Sequence, residues 1–254
     1  MDLSCRRRDD LLRILEGFGQ HTCSTKLNKE QLVRRIEALR SPPVVIACES
    51  PLMEASFYTA ILDILRSIQW PQEAGNRGHR RIGASGFVLG ATKGVPRACG
   101  FQKHESGWFN TSVLPRRRSR QDAADLLRFW SLLQEIVWRR DPSFTFTSVQ
   151  VNRNLPGKAH IDPHDVSYQY ALSLGSFTGG RLVVATDNPS VFVAHNTHAR
   201  LTKCDGRHSH WVESYEVTRY SLIMYKIFGT GTPRLTNLEC VPKCGLAGQE
   251  KFPK

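Results

Sequence analysis

The spacing of hydrophobic positions changes along the chain, and each spacing predicts a different kind of element. Apolar residues three or four apart form helical stripes in residues 9–41, 50–70 and 121–139, the second opening at Ser50-Pro51 as N-cap and first helical residue. Strict alternation of apolar and polar residues predicts a half-buried strand over residues 144–152. Short apolar runs between turn residues predict further strands at 44–48 and near 181–185, 191–194, 199–203 and 210–228. Many short strands behind a buttressing helix indicate two packed antiparallel sheets in a jelly roll.

The chain divides into three regions. Residues 1–43 hold the first helical stripes and end at Ser41-Pro42-Pro43, a stiff break because proline fixes its backbone angle. Residues 44–228 contain the predicted strands and should form the main domain. Residues 229–254 are rich in glycine, proline and lysine, which predicts an extended tail. The expected fold class is mainly β with buttressing helices: a jelly-roll core plus a small N-terminal helical unit.

The composition argues against several classes of protein. Hydrophobic residues make up 40% of the 254 residues, which is enough for one substantial core. No apolar run approaches the roughly 20 residues that a membrane span needs, and the first residues lack the apolar core of a signal peptide. Seven cysteines at irregular spacing argue against a disulfide framework and for a reducing compartment. We therefore expect an intracellular protein with no membrane partner.

Most of the positive charge lies in one segment. The net charge is +12, and residues 77–120 contain ten basic residues against one acid, Glu105. A run of like charge is often only a solvated face. This concentration nevertheless favours a nucleic-acid-binding surface, because lysine and arginine release counterions from phosphates. Arg116, Arg117, Arg118 and Arg120 could equally form a nuclear-import patch.

Two residues, His160 and Asp162, can act together on a metal. Side chains two apart in an extended strand point to the same face, so this imidazole and carboxylate lie side by side. A third ligand from a distant strand would complete two histidines and one carboxylate. That set leaves coordination positions open and suits non-haem Fe(II), which must also bind a co-substrate and O2. Arg219 adds a planar cation that can grip a carboxylate with two hydrogen bonds, and Ser221 adds a hydroxyl on the same strand face.

Several histidines compete for the third ligand position, since the chain has nine. His208 and His210 lie on the same predicted strand face, which makes His208 the serious rival. We interpret His195 and His198, in a polar turn, as exposed loop residues. His164 follows the ligand pair and could instead face a substrate.

The order of these motifs is similar to a known signature. His-x-Asp, a distal histidine and Arg-x-Ser resemble the 2-oxoglutarate/Fe(II)-dependent dioxygenases over roughly residues 144–228. The Gly179-Gly180 pair resembles this superfamily's turn into the next core strand. The resemblance implies a double-stranded β-helix and favours His210 over His208 as the distal ligand.

The resemblance also implies a role for each of these residues. Iron would be held by His160, Asp162 and His210. The co-substrate 2-oxoglutarate would bind the metal, with its far carboxylate anchored by Arg219 and Ser221. With O2 as the remaining co-substrate, 2-oxoglutarate is converted to succinate and CO2 while a C–H bond of the substrate is oxidised.

Two more residues are candidates for contact with 2-oxoglutarate. Residues 152–157 resemble the turn before the first ligand in AlkB-type nucleic-acid demethylases, and this likeness gives Asn152 a contact with the co-substrate. The tyrosine that those enzymes carry two residues later is Asn154 here, and their spacing from the distal histidine to the arginine is longer. Tyr170 can point toward the metal pocket and bond the co-substrate, or it can be a core tyrosine.

A narrower resemblance indicates the substrate. The Asp205-Gly206 turn and the segment His210–Ser221 resemble the TET/JBP-related branch, which oxidises methyl groups on nucleic-acid bases. The helix–loop–helix pattern in residues 9–41 resembles a SAP motif, a small DNA-binding module, although two amphipathic helices packed on the main domain would give the same pattern. With the basic segment, these features favour oxidation of a methylated pyrimidine in DNA or RNA, in the nucleus rather than the cytoplasm.

Two other functions stay open. The spacing from His210 to Arg219 is similar to that of the prolyl hydroxylases, which would fit a protein hydroxylase acting on a prolyl or other side chain. A catalytically silent nucleic-acid-binding protein is the third candidate, and the intact ligand set counts against it. No feature of the sequence indicates an oligomeric state.

Overall fold

The computed structural model describes residues 3, 5–17, 28–40, 43–68, 70, 85–90, 101–104, 107–110, 120–238 and 249–250. Its helices are α1 Arg8–Gly17, α2 Lys29–Arg40, α3 Ala55–Ser67 and α4 Arg120–Arg140. Its strands are β1 Val44–Glu49, β2 Ser85–Gly90, β3 Phe101–His104, β4 Gly107–Asn110, β5 Ser148–Arg153, β6 Gln169–Gly175, β7 Thr178–Gly179, β8 Leu182–Ala185, β9 Val191–Asn196, β10 Thr202–Cys204, β11 His210–Val212, β12 Tyr215–Glu216, β13 Arg219–Tyr225 and β14 Gln249–Glu250.

Two five-stranded sheets make up the body of the described chain. Sheet A has the strand order β10-β6-β13-β5-β2, and sheet B has the order β11-β8-β9-β1-β14. Neighbouring strands in them pair antiparallel, apart from β1 and β9, which run parallel. The sheets pack face to face, because residues of both meet in one apolar cluster that contains Ala171 of sheet A and Leu182 and Val184 of sheet B.

This arrangement confirms the predicted fold class, a mainly β jelly roll, or double-stranded β-helix, with buttressing helices. The helices α3 and α4 cover the outer face of sheet A. There Ile61 and Leu65 of α3 and Phe129 of α4 share a core with Leu172 and Leu222 of the sheet. The amphipathic stripes seen in the sequence are therefore the faces with which these helices buttress the sheet.

Alternation along sheet A separates a core face from a cavity face. Successive residues of a strand point to opposite sides. The side that faces the helices carries the apolar residues Val149, Val151, Leu172, Leu174, Leu222 and Met224. The side that faces sheet B carries the polar residues Gln150, Asn152, Gln169, Ser173, Arg219 and Ser221. The same three strands thus bury the core and present polar side chains to the space between the sheets.

The start of α3 differs from the sequence prediction. The helix begins at Ala55 rather than at Ser50-Pro51. The intervening segment is held elsewhere, since Leu52 forms an isolated bridge with Arg200. Pairing with this distant segment replaces the helical hydrogen bonds that a cap at Ser50 would support.

Residues 229–238 are not the extended tail that their composition predicts. Asn237 is fully buried: its Oδ1 accepts from the Asp205 N–H at 2.8 Å, and its Nδ2 donates to the Ala185 carbonyl at 3.1 Å. Farther along, β14 pairs antiparallel with β1 at the edge of sheet B. The main domain therefore continues past residue 228. Hydrogen bonds hold this segment together with Leu235, which packs against the core that sheet A shares with the helices, and composition alone does not reveal these contacts.

The N-terminal helices form a small core of their own, in which Leu11 of α1 packs with Leu32 and Ile36 of α2. The helical unit is present as predicted, while its likeness to a SAP motif stays a prediction. Much of the basic segment 77–120 lies outside the described residues, including Arg116, Arg117 and Arg118. None of the described helices combines the length and the apolar composition needed to cross a membrane.

His195 is a fully buried imidazole in β9, and neither ring nitrogen has a hydrogen-bond partner among the described residues. It pairs with Leu182 of β8 on one side and with Cys48 of β1 on the other. Burial lowers the pKa of His195 from 6.5 to about 4, because the imidazolium would lose its hydration. The interpretation of His195 as an exposed loop residue is wrong, since β9 runs through it.

We expect His195 to make the fold sensitive to acid. The pKa of His195 is lower in the folded than in the unfolded chain, so the unfolded chain takes up the proton first as the pH falls. The stability that neutral His195 contributes to the fold is therefore complete above pH 6.5 and is lost as the pH falls toward 4. This group should lower the unfolding free energy by roughly 3 kcal/mol between neutral pH and pH 4. Chemical denaturation across this range should show a shallower loss for His195→Leu than for the wild type. The same substitution at the exposed His164 is the control. An unchanged pH dependence in His195→Leu would contradict this account.

Candidate active site

A cavity of about 780 Å³ lies between sheets A and B. One wall is the polar face of β5, β6 and β13, and the other includes Leu182 of β8 and Val212 of β11. The connection from β5 to β6 closes one side with residues 155–158, 160 and 162–165. The candidate residues that line this cavity are His160, Asp162, His210, Arg219, Ser221 and Asn152.

His160, Asp162 and His210 form a cluster that can hold a metal ion. One ligand atom from each lies within 4.8 Å of the others. The Asp162 carboxylate is 3.8 Å from His160 Nε2 and 3.5 Å from His210 Nε2. Atoms that bind one ion at about 2 Å and at right angles lie roughly 3 Å apart, so small side-chain adjustments bring these three to coordination distance. Two imidazoles and one carboxylate are the facial set of non-haem Fe(II) sites.

Main-chain pairing brings the cluster together. His160 and His210 exchange both backbone hydrogen bonds, at 3.0 and 2.9 Å, as an isolated antiparallel bridge. The Asp162 N–H donates to the Gly206 carbonyl at 2.8 Å. A Cβ at Gly206 would lie 2.8 Å from Asp162 Oδ2, so a larger residue in the Asp205-Gly206 turn would displace this carboxylate. The strand expected through residues 160–162 is reduced to the bridge, because a turn follows at residues 163–164.

Further hydrogen bonds decide which ring nitrogens face the metal position. His160 Nδ1 lies 2.7 Å from the Lys158 carbonyl, and His210 Nδ1 lies 2.9 Å from the His208 carbonyl. A carbonyl oxygen only accepts, so each Nδ1 carries the proton and each Nε2 keeps a lone pair for a metal. Burial lowers the pKa of His210, which favours the neutral ring that a ligand must have.

The rival histidines do not join the cluster. His208 turns its Nε2 to the Leu235 carbonyl at 2.6 Å, because it lies in the turn before β11 rather than on the strand. His198 is half-buried with its Nε2 3.0 Å from the Gly175 carbonyl, so the interpretation as an exposed residue is wrong there too. His164 is exposed and lines the cavity.

Arg219 is a buried cation with no carboxylate at ion-pair distance among the described residues. It is 4% exposed, and its Nε has no hydrogen-bond partner within that part of the chain. Its Nη2 donates to Ser173 Oγ at 2.7 Å, and its guanidinium carbon lies 5.4 Å from the ring centres of Phe177 and Tyr215. Burial lowers the pKa of Arg219 to about 10, which leaves it charged at neutral pH. Because an uncompensated buried charge is costly, this geometry suits the binding of an anion.

Ser221 and Asn152 lie beside Arg219 on the cavity face. They are paired across β13 and β5, and Asn152 Nδ2 donates to Ser221 Oγ at 3.5 Å. Asn152 Oδ1 accepts from Gln150 Nε2 at 2.7 Å. A Cβ at Gly86 of β2 would lie 2.6 Å from that Oδ1, so glycine leaves the room that the asparagine occupies. Both positions are in the cavity, and their contact with a co-substrate stays a prediction.

Tyr170 does not reach the cavity. Its hydroxyl donates to Asp141 Oδ2 at 3.0 Å, and the Tyr168 hydroxyl donates to the same oxygen at 2.9 Å. Burial acts to raise the pKa of Asp141, but hydrogen bonds from Ser143 and the two tyrosines outweigh it and lower the pKa to about 2. The expected contact of Tyr170 with the co-substrate is wrong. Gln169, next to it in β6, takes the cavity face, so Tyr170 must face the helices.

Two residues that the sequence analysis missed carry unpaired acceptors in the cavity. Asp165 Oδ2 and Gln169 Oε1 are buried and have no hydrogen-bond partner among the described residues. Burial, followed by the charge of Asp162, raises the pKa of Asp165 to about 7. The alternation of Gln169 with Ser173 along β6 could have indicated Gln169. No sequence signal distinguishes Asp165 from a solvated loop acid.

Comparison with known proteins adds distant structural likenesses. No protein-family model and no curated protein matches the chain. A 2OG-Fe(II) oxygenase family oxidoreductase from Burkholderia pseudomallei is 14% identical, with 72% of this chain and 83% of that chain covered and a TM-score of 0.41. A Pseudomonas putida prolyl-4-hydroxylase is 14% identical (76% and 97% covered, TM-score 0.36). NgTET1 in complex with 5mC DNA is 18% identical (44% and 48% covered, TM-score 0.29). At these low scores, the assignment of the fold rests on the strand topology of the chain itself.

The cluster predicts different outcomes for two neighbouring histidines. His210→Ala removes a ligand and should abolish detectable Fe(II) binding. Loss of a residue that only hydrogen-bonds a ligand typically lowers metal affinity by roughly 10- to 100-fold, so the loss of the ligand itself should have a larger effect. His208→Ala keeps the carbonyl that orients His210 and should bind Fe(II) nearly as the wild type does. Metal titration of both variants, with thermal melting to verify the fold, makes the test. Loss of binding in His208→Ala with retention in His210→Ala would exclude His210 as the distal ligand.

Proposed function

We propose that this chain is an Fe(II)- and 2-oxoglutarate-dependent dioxygenase. One observation carries the proposal: a single cavity contains a two-histidine, one-carboxylate cluster and a buried guanidinium without a carboxylate partner among the described residues. Neither feature is favourable for folding alone, because clustered ligands and unpaired buried charge both cost free energy. Binding of a metal and a dicarboxylate would remove both costs.

The residues present fit both groups. A set of three ligands leaves the remaining metal positions to a co-substrate and O2. The Arg219 guanidinium can bond one carboxylate with two hydrogen bonds, and Ser221 can donate a third from its hydroxyl. When bound, iron and 2-oxoglutarate supply the oxidation of a C–H bond, with 2-oxoglutarate converted to succinate and CO2.

The chain itself supplies binding and orientation. His160, Asp162 and His210 would hold the metal, with each imidazole oriented by a backbone carbonyl. Arg219 and Ser221 would orient the dicarboxylate from the adjoining strand. Because Arg219 and His210 are buried, their electrostatic interactions with bound groups are stronger than they would be in water.

We further propose a nucleic-acid base as the substrate, with a methylated pyrimidine in DNA or RNA as the first choice. Gln169 Oε1 and the ionised form of Asp165 favour a substrate that donates N–H groups, because such donors would offset the cost of burying these acceptors. A pyrimidine carries N–H donors on its edge, and its methyl group offers the C–H bonds. The base must be flipped out of a duplex or presented single-stranded to enter the cavity. The surplus of basic residues in 77–120 supports a phosphate-bearing partner and, with the import-like arginines, a nuclear location.

A protein hydroxylase is the second candidate, because the spacing of His210 and Arg219 is similar to that of the prolyl hydroxylases. A prolyl ring, however, has no N–H to donate to Asp165 or Gln169. This difference favours the base over the prolyl side chain. A catalytically silent nucleic-acid-binding protein is disfavoured, since it would have no use for ligand atoms held within 4.8 Å of one another.

Substitution of Arg219 tests the co-substrate site. Arg219→Ala leaves the far carboxylate of 2-oxoglutarate without its cation, and such charge-assisted hydrogen bonds contribute roughly 1.5–3 kcal/mol. The KM for 2-oxoglutarate should therefore rise about tenfold to a hundredfold. Arg153→Ala is the matched control, because Arg153 faces away from the cavity over the Trp70 ring, 5.2 Å from its centre. An unchanged KM in Arg219→Ala would remove this residue from the site.

Substitution of Asp165 tests the substrate class. Asp165→Leu removes a buried unpaired acceptor, so stability should stay equal or rise by about 1–3 kcal/mol. A base substrate would lose a hydrogen bond to a charged or polar group, and kcat/KM for it should fall about tenfold to a hundredfold. The KM for 2-oxoglutarate should not change.

The assay would measure succinate formation with methylated DNA, methylated RNA and proline-containing peptides. Turnover with an oligonucleotide that depends on Asp165 would support the base. Turnover with a peptide alone would support the protein hydroxylase. If an oligonucleotide is turned over equally well by the wild type and Asp165→Leu, the base remains the proposed substrate but Asp165 does not recognise it.

A further inference from the structure

Asn154 makes a reciprocal pair of hydrogen bonds with Arg219. The Asn154 N–H donates to the Arg219 carbonyl at 2.9 Å, and Asn154 Oδ1 accepts from the Arg219 N–H at 2.9 Å. Asn154 has a φ of 54°, in the left-handed region that asparagine tolerates better than most residues. Because the chain turns away from β5 here, both the backbone N–H and the side chain of Asn154 can form hydrogen bonds with Arg219.

The two hydrogen bonds from Asn154 hold Arg219 on the β5 side of β13, where the regular strand pairing does not reach it. The pairing of β5 with β13 ends at Arg153 opposite Tyr220, one position short of Arg219. On the other side of β13, Arg219 pairs with Gly175, the last residue of β6. Asn154 therefore continues the ladder by one position and fixes both main-chain polar groups of Arg219.

We infer that Asn154 is a positioning residue for the distal carboxylate of 2-oxoglutarate, an inference that rests on the proposed function. Asn154 is not among the residues that line the cavity, so it would act through Arg219 rather than by contact. Arg219 is the first residue of β13, and the end of a strand would otherwise fray there. Asn152, two residues before Asn154 in the chain, donates a hydrogen bond to the Ser221 side chain. The end of β5 thus sets the position of both expected carboxylate anchors.

Two substitutions separate the hydrogen bond from the backbone angle. Asn154→Gly keeps the left-handed φ and loses only the side-chain acceptor. Asn154→Ala loses the acceptor and is also strained at this φ. If Asn154 positions Arg219, the affinity for 2-oxoglutarate should fall about threefold to tenfold in Asn154→Gly and further in Asn154→Ala.

A pair of keto acids distinguishes positioning from general damage. 2-Oxopentanoate keeps the keto-acid end of 2-oxoglutarate but ends in a methyl group, so it offers Arg219 nothing to bind. Dissociation constants of both acids would be measured by fluorescence titration and thermal shift in Mn(II)-loaded protein, with the Mn(II) affinity measured first. The control is Asn188→Ala. Asn188 Oδ1 likewise accepts a backbone N–H, from Ser190 at 3.0 Å, but it lies in the turn between β8 and β9.

The expected result is a loss of affinity for 2-oxoglutarate alone, with the Mn(II) and 2-oxopentanoate affinities within twofold of the wild type. Equal weakening of both acids, or of the metal, would show a structural role and overturn the inference. A variant that binds 2-oxoglutarate as tightly as the wild type would overturn the inference and leave the proposed function standing. A wild-type protein that binds no 2-oxoglutarate with metal present would overturn both.

Discussion

The two-residue period of sheet A is the constraint on which the rest of the structure depends. Leu172 and Leu222 are fully buried against the helices, while their neighbours Ser173 and Ser221 face the cavity. A shift of one residue in the pairing of β6 with β13 would turn the whole apolar set toward the cavity and drive Arg219 toward the helical core. One register therefore sets the stability of the domain and the chemistry of its cavity together.

The free energy that this register provides is partly offset at the cavity. Buried side-chain atoms without a hydrogen-bond partner among the described residues belong to Asp165, Gln169, His195 and Arg219. Three of these four residues line the cavity, so the unpaired groups are concentrated where ligands would bind rather than spread through the fold. Proteins retain such local conflicts mainly where function requires them. The buried core that sheet A shares with its helices supplies the stability that offsets this cost.

The metal cluster depends on loops as much as on strands. Its histidines are oriented by carbonyls of residues 158 and 208, and Asp162 is held by the carbonyl of Gly206. None of these carbonyls belongs to a regular strand. The sheets bring the loops together through the His160–His210 bridge, and the loops then select the nitrogen that each histidine presents. These orienting contacts come from backbone carbonyls, which every residue type has, so the identity of the residues does not reveal them.

The sequence by itself determined the period of each element, and hence the buttressing helices, the jelly roll and the polar face that carries Arg219 and Ser221. It also determined the pairing of His160 with Asp162, because residues close in sequence are necessarily close in space. Only the tertiary structure decided matters that depend on distant segments. It turned His208 toward residue 235, set Tyr170 on the helix side, buried His195 and held residues 229–238 against the body. The physical reason is that a side chain's partner across the fold is chosen by strand register and backbone hydrogen bonds, which leave no mark in the local pattern of hydrophobic and polar residues.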